Sequence, residues 1–196
     1  MSHGLIRFLN RHAQWRAIAP LLLLCAGYVW LFNFSSFPYA EPALISSGCG
    51  EGLLDVRPHY DAAQAYQALA CYGTAGRALY KNFLLVDATF AFCYGMCFAL
   101  LLTRLVRANL ATGNAGGAEG VGSLWPWAGL LPLGIAATDG LENVLLYQLL
   151  SAYPDELPRA AWLAGYATSG KWVLSALTVA VLVGSVSRLW WRRSRV

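Results

Sequence analysis

Four apolar runs, each long enough to cross a lipid bilayer as a helix, set the limits on what this chain can fold into. They extend from about Ala17 to Phe34, Phe83 to Val106, Trp125 to Leu150 and Ala160 to Leu189. A helix rises about 1.5 Å per residue, so about 20 residues cover the hydrocarbon core. Composition agrees: 58% of residues are apolar and 12% charged, against about 45–50% and about 25% in soluble domains. The expected fold class is therefore all-α, a four-helix transmembrane bundle forming one domain over residues 1–196. The first run could be a signal peptide, but it is long for one. Pro38-Tyr39-Ala40 is also a poor small-x-small cleavage site, so an uncleaved anchor is the preferred reading.

Charge gives an orientation rather than a polyanionic partner. The net charge of +4 is no nucleic-acid signal, because the basic residues gather at the ends of the apolar runs. Arg7, Arg11 and Arg16 precede the first span, Arg104 and Arg107 end the second, and Arg188, Arg192, Arg193 and Arg195 follow the fourth. All fall on one side if both termini are cytoplasmic, as the positive-inside rule requires. Arg57, Arg77, Lys81 and Arg159 on the other side are diluted by Glu41, Glu51, Asp55, Asp61, Asp155 and Glu156. The expected location is a bacterial inner membrane, with Trp125, Trp127, Trp190 and Trp191 at the cytoplasmic headgroups and Tyr153 and Trp162 at the opposite interface.

Between the first two spans, residues 35–81 form the largest outer segment. Its first half is rich in Ser, Pro and Gly and reads as loop. From Asp61 to Cys71, Ala62, Tyr66, Leu69 and Ala70 recur at helical spacing, with Asp61 as N-cap, giving a short amphipathic lid helix on the outer surface. Gly73-Thr74 breaks it, and Thr74 can cap a helix running from Ala75 through the second span. Residues 111–123, rich in Gly, read as a flexible linker. The short loop Pro154–Pro158 makes the third and fourth spans antiparallel neighbours.

Inside the apolar runs lie Asp87, Asp139, Glu142 and Lys171. An ionisable side chain costs roughly 2.5–3.5 kcal/mol at a helix centre on insertion scales, so it persists mainly where it pairs or serves a purpose. Counting from the outer ends puts all four in the outer half to middle of the bilayer, on three different helices. Tyr94 shares the Asp87 face; Asn143 shares that of Asp139 and Glu142; Thr168 and Ser175 share that of Lys171. Small-residue pairs (Ala91 with Gly95, Ala136 with Gly140, Ala161 with Gly165) flank these positions, so the charged face is expected to be the packed face. Pro132 is expected to kink the third span. Three carboxylates face one ammonium, an imbalance that calls for a proton, a cation or a cationic ligand group.

The pattern Asp87-x-x-Phe90-x-x-x-Tyr94, then Asp139-x-x-Glu142-Asn143, then Lys171-Trp172 resembles a family of small four-span bacterial membrane proteins of unknown function. The resemblance covers the second to fourth spans. It implies a four-helix bundle and lends weight to those seven positions, and it brings no assigned activity.

Other signals are weaker. Gly165-x-x-x-x-Gly170-Lys171 mimics a phosphate-binding loop but continues with Trp172 and lies in a membrane helix. Cys93 and Cys97 are one turn apart without a converging His or Met, so no metal site is read there. Cys49 and Cys71 share the outer segment and suit a disulfide in an oxidising compartment. Glu41, Glu51, Asp55 and Asp61 match no calcium-loop spacing and read as solvated charge. His59 reads as a solvated loop residue. No cofactor is called for.

Three functions remain open. The first is a protein that binds or transports a small ligand, ion or proton at Asp87, Tyr94, Asp139, Glu142, Asn143 and Lys171. The second is a non-catalytic accessory subunit that meets a membrane-protein partner. A lipid-active enzyme using Asp139 or Glu142 as acid or base ranks last, because no nucleophile or metal triad accompanies them.

Overall fold

The computed structural model describes residues 2–35, 52–111 and 125–194, and every regular element among them is helical. In chain order these are α1 (Ser2–His12), α2 (Trp15–Phe34), a 3-10 turn (Leu54–Val56), α3 (Ala62–Cys71), α4 (Gly73–Ala111), a 3-10 segment (Trp125–Leu130), α5 (Leu131–Ala152) and α6 (Pro158–Arg193). Three of them, α2, α4 and α6, are long and apolar enough to cross a membrane. The expected third span, α5, has 22 residues but carries Asp139, Glu142, Asn143 and Gln148, which lower its hydropathy below that of the other three.

Local chemistry accounts for the helix ends. Asp61 accepts from the Gln64 backbone N–H at 2.8 Å and Gln64 returns the bond to the Asp61 N–H at 3.0 Å, a reciprocal capping box that starts α3. Gly73 stops it: at φ +61° it takes a left-handed conformation open to glycine at little steric cost. The next helix starts at Gly73 itself, so Thr74 sits inside the first turn, within 3.5 Å of Arg77, and is not the cap expected of it. Pro132 stands in the first turn of α5 and does not kink it, since the missing N–H has no intrahelical partner there. The buried stripe of α3 is Ala65, Ala68 and Leu69, while Ala70 is exposed.

Packing divides into two cores. At one end, Phe32 of α2, Tyr80 and Phe83 of α4, Leu146 and Leu149 of α5, and Leu54 of the connecting segment pack together. At the other, Leu9 of α1, Ile18 of α2, and Ala99 and Leu100 of α4 do so. Gly95 brings α4 and α5 close: a Cβ there would lie 2.5 Å from that of Ala136. Gly140, expected to serve the same purpose, faces open space. The first span packs on α4 through Tyr28 Oη and Thr89 Oγ1 (2.7 Å) and rings of Tyr28, Phe32 and Phe90. Arg77 donates to the Leu69 carbonyl (2.9 Å) and stacks on Tyr153. Cys71 is disulfide-bonded, while Cys25, Cys93 and Cys97 are free. Cys49, Glu41, Glu51 and most of the Gly-rich linker lie outside the described residues.

Candidate functional site

The i, i+3, i+4 spacing of Asp139, Glu142 and Asn143 puts all three on the face of α5 that meets α4 and α6. They are buried: Asp139 is 4% exposed, Glu142 0% and Asn143 4%. Lys171 reaches across from α6 to both acids, its Nζ 2.9 Å from Asp139 Oδ1 and 2.7 Å from Glu142 Oε2. The contact to Glu142 is a close ion pair without directed hydrogen-bond geometry. The outer carboxylate oxygens are held as well. Tyr94 of α4 donates to Asp139 Oδ2 at 2.7 Å, and Thr168 donates to Glu142 Oε1. Asp87 of α4 accepts from Asn143 Nδ2 at 2.8 Å. Of the six positions expected from sequence, Tyr94, Asp139, Glu142 and Lys171 form one bonded group and Asp87 with Asn143 a second pair, Asp87 lining the same cavity as Tyr94, Asp139 and Lys171.

Residues 52–60, read from sequence as plain loop, roof this group. Leu53, Leu54 and Tyr60 are buried, the two leucines each worth about 1.5–3 kcal/mol on the scale for large apolar side chains. That gain carries the Asp55 carboxyl inside. Tyr80 donates its hydroxyl to Asp55 Oδ1 and accepts from the backbone N–H groups of Leu54 (3.1 Å) and Asp55 (3.2 Å). Burial pushes the Asp55 carboxyl above the usual carboxylate range, opposed by Lys171 and by the Tyr80 hydrogen bond. The backbone carbonyls of this strap face α6. Asp55 O accepts from Lys171 Nζ (2.8 Å), Arg57 O from Trp172 Nε1 (2.9 Å) and Pro58 O from Ser169 Oγ (3.3 Å). His59 is not merely solvated, since its Nδ1 lies 2.8 Å from Ser169 Oγ. The side chains and carbonyls directly over the acid cluster come from this strap.

Below the strap a cavity of about 380 Å³ opens between α4 and α6, with α5 behind it. Its upper wall carries Asp55, Asp87, Tyr94, Asp139 and Lys171; its lower wall is Phe98, Ile135, Val179 and Leu182 with Thr178 among them. Lys171 is already engaged by two carboxylates. Asp87 has no cation within ion-pair distance among the described residues. The site can therefore take a polar, positively charged group at one end and an apolar chain at the other.

Sequence reasoning placed Thr168 on the Lys171 face without giving it a role, and missed Asp55, Tyr60 and Tyr80 as members of this site. One signal was present for Asp55: it is flanked by Leu53, Leu54 and Val56, an apolar setting foreign to a solvated loop acid. Tyr60 and Tyr80 had none, since their partners are distant in sequence. No group of His, Cys, Asp and Glu among the described residues is arranged to hold a metal ion. No family model matches the chain, and neither does any curated protein or solved structure.

Proposed function

We propose that this is an integral membrane protein with four spans, and that its cavity binds a membrane-soluble amphiphile bearing a cationic head. The observation that carries the reading is the cavity's polarity: three carboxylates, a phenol and the Lys171 ammonium at the upper end, and side chains that are apolar except for Thr178 at the lower. Asp87 would receive the cation, with Phe90, Tyr94 and Trp172 offering ring faces beside it. Lys171 would hold Asp139 and Glu142 in place as internal counter-charge.

Two facts support α5 as the fourth span. At about 1.5 Å per residue its length comes to about 33 Å, enough for the hydrocarbon core. Asp139, Glu142 and Asn143 are buried, while Leu141, Val144 and Tyr147 on the opposite face are exposed and apolar enough to meet lipid, and the exposed Gln148 lies one turn from the helix end. Arg104, Arg107 and the basic ends of α1 and α6 gather at the end away from the strap, which favours cytoplasmic termini. Kinship with small four-span bacterial membrane proteins is part of the proposal and adds no activity to it.

The test uses the full chain in lipid nanodiscs with dodecylammonium and dodecanol as probes of equal chain length. Tighter retention of the ammonium, reduced roughly tenfold or more by Asp87→Asn, is expected from loss of a charge-assisted contact. Dodecanol retention should not change in that variant, and Val179→Trp should exclude both probes. Equal retention of the two probes by the unaltered protein would overturn the reading.

A further inference from the structure

A second polar cleft lies at the opposite end of the bundle, about 430 Å³ in volume and lined by Ala13, Gln14, Arg104, Arg107, Ala108 and Ala111. Its two guanidinium groups come from the end of α4 and face the corner where α1 turns into α2. Each is anchored to that corner by one N–H. Arg107 donates to the Asn10 carbonyl at 2.6 Å and Arg104 to the Ala13 carbonyl at 3.4 Å, with Arg104 also lying 5.1 Å above the Trp15 ring. A guanidinium has five N–H donors in a fixed fork, so most of the donors in this pair are left over.

Three features decide what the leftover donors suit. Among the described residues, no carboxylate lies within ion-pair distance of either arginine. The corner is also the start of α2, whose N-cap Gln14 makes no side-chain cap and itself lines the cleft, so the positive end of a helix faces the same space. Finally, α1 is amphipathic. Leu9 is buried against the bundle, while Leu5 and Phe8 are exposed apolar groups beside Arg7 and Arg11, and Trp15 and Arg16 are exposed at the start of α2. That is the composition of a helix lying at a membrane surface.

We infer that this cleft is a phosphate-binding site, held by Arg104 and Arg107 and filled by the phosphate of an anionic lipid headgroup or by a soluble phosphate ester. Planar forks matched to a tetrahedral oxyanion give paired hydrogen bonds that a single ammonium would not. Anchoring by Asn10 and Ala13 fixes the forks before the anion arrives, so less side-chain freedom is lost on binding. The site is independent of the cavity under the strap.

The test is native mass spectrometry of the full chain released from nanodiscs of phosphatidylcholine mixed with phosphatidylglycerol. A parallel titration with glycerol phosphate uses pure phosphatidylcholine discs. Selective retention of phosphatidylglycerol, weakened roughly tenfold or more by Arg107→Gln and further by Arg104→Gln, is the expected result. Arg107→Lys keeps the charge and loses the fork, and should weaken retention less than Arg107→Gln. Glycerol phosphate binding with the same arginine dependence would assign the site to a soluble ester; lipid retention alone assigns it to a headgroup. Should Arg104→Gln fail to fold, Arg107→Gln decides, because that side chain is exposed. Indifference to headgroup charge and to glycerol phosphate, or retention unchanged in a folded Arg107→Gln protein, would overturn the inference.

Discussion

The backbone carbonyl of Tyr60 rests directly on Gly165 of α6, so closely that a Cβ at that glycine would lie 2.0 Å from the carbonyl oxygen. This contact seats the strap. A methyl group at residue 165 would push Tyr60 off α6 and pull at the bonds of Asp55 to Lys171 and Arg57 to Trp172. Overpacking of this kind costs about 1–3 kcal/mol. Gly165→Ala should therefore lower the midpoint of thermal unfolding in detergent, whereas Gly184→Ala, which meets nothing within 4 Å, should not. Equal midpoints for the two variants would show that the strap does not sit there.

Lys171 is the single ammonium between two buried carboxylates. Removing one partner of a buried pair leaves uncompensated charge and costs about 3–5 kcal/mol, more than the pair itself contributes. Lys171→Met should be strongly destabilising, and the double variant Lys171→Met with Glu142→Gln should recover part of the loss by removing one stranded charge. Chemical denaturation of the single and double variants measures this coupling. A double variant no better than the single would mean that Glu142 does not depend on Lys171.

The helices α2 to α6 and their order were legible because apolar runs, the Asp61 cap and the Gly73 break are local signals, whereas α1, short and strongly charged, was not read as a helix. The grouping of Asp87, Asp139, Glu142, Asn143 and Lys171 was legible too, since periodicity puts each on a definite helix face and burial in lipid forces polar faces together. Asp55 and Tyr80 were not, because 25 residues separate them and their contact exists only once the strap folds over α4. The role of Gly165 was misread for a similar reason. A small residue at helical spacing announces a close approach without saying whether the neighbour is a helix or, as here, an extended strap.

Burial raises the Asp55 carboxyl above its usual range. An acid raised in the folded state binds protons more readily folded than unfolded, so folding is favoured at low pH and weakened as pH rises. The decline begins near the unfolded-state value for Asp of about 3.9 and continues until the folded-state group has ionised. Asp55→Asn keeps an oxygen for Tyr80 and removes the titration. Subtracting its profile of thermal midpoint against pH from that of the unaltered protein should leave a difference that falls with rising pH above about 4. A flat difference would show that Asp55 does not titrate in this window.

Cys25 of α2 and Cys93 of α4 lie with their sulfur atoms 3.6 Å apart, and both are free. A disulfide needs about 2.05 Å between sulfurs, a gap that small side-chain rotations can close. Mild oxidation of the full chain in membranes should therefore join α2 to α4, and a protease site placed in residues 36–47, ahead of Cys49 so that the bond at Cys71 does not hold the fragments together, offers the readout. After cleavage the two fragments should migrate together without reductant and separate with it. Cys25→Ser or Cys93→Ser should abolish the link, while Cys97→Ser should leave it intact. The outcome bears on the fate of the first span, because a signal peptide removed after synthesis would leave no α2 for Cys93 to capture. Fragments that separate without reductant would place α2 away from α4 and remove the Tyr28 and Phe32 wall that backs Phe90 beside the cavity.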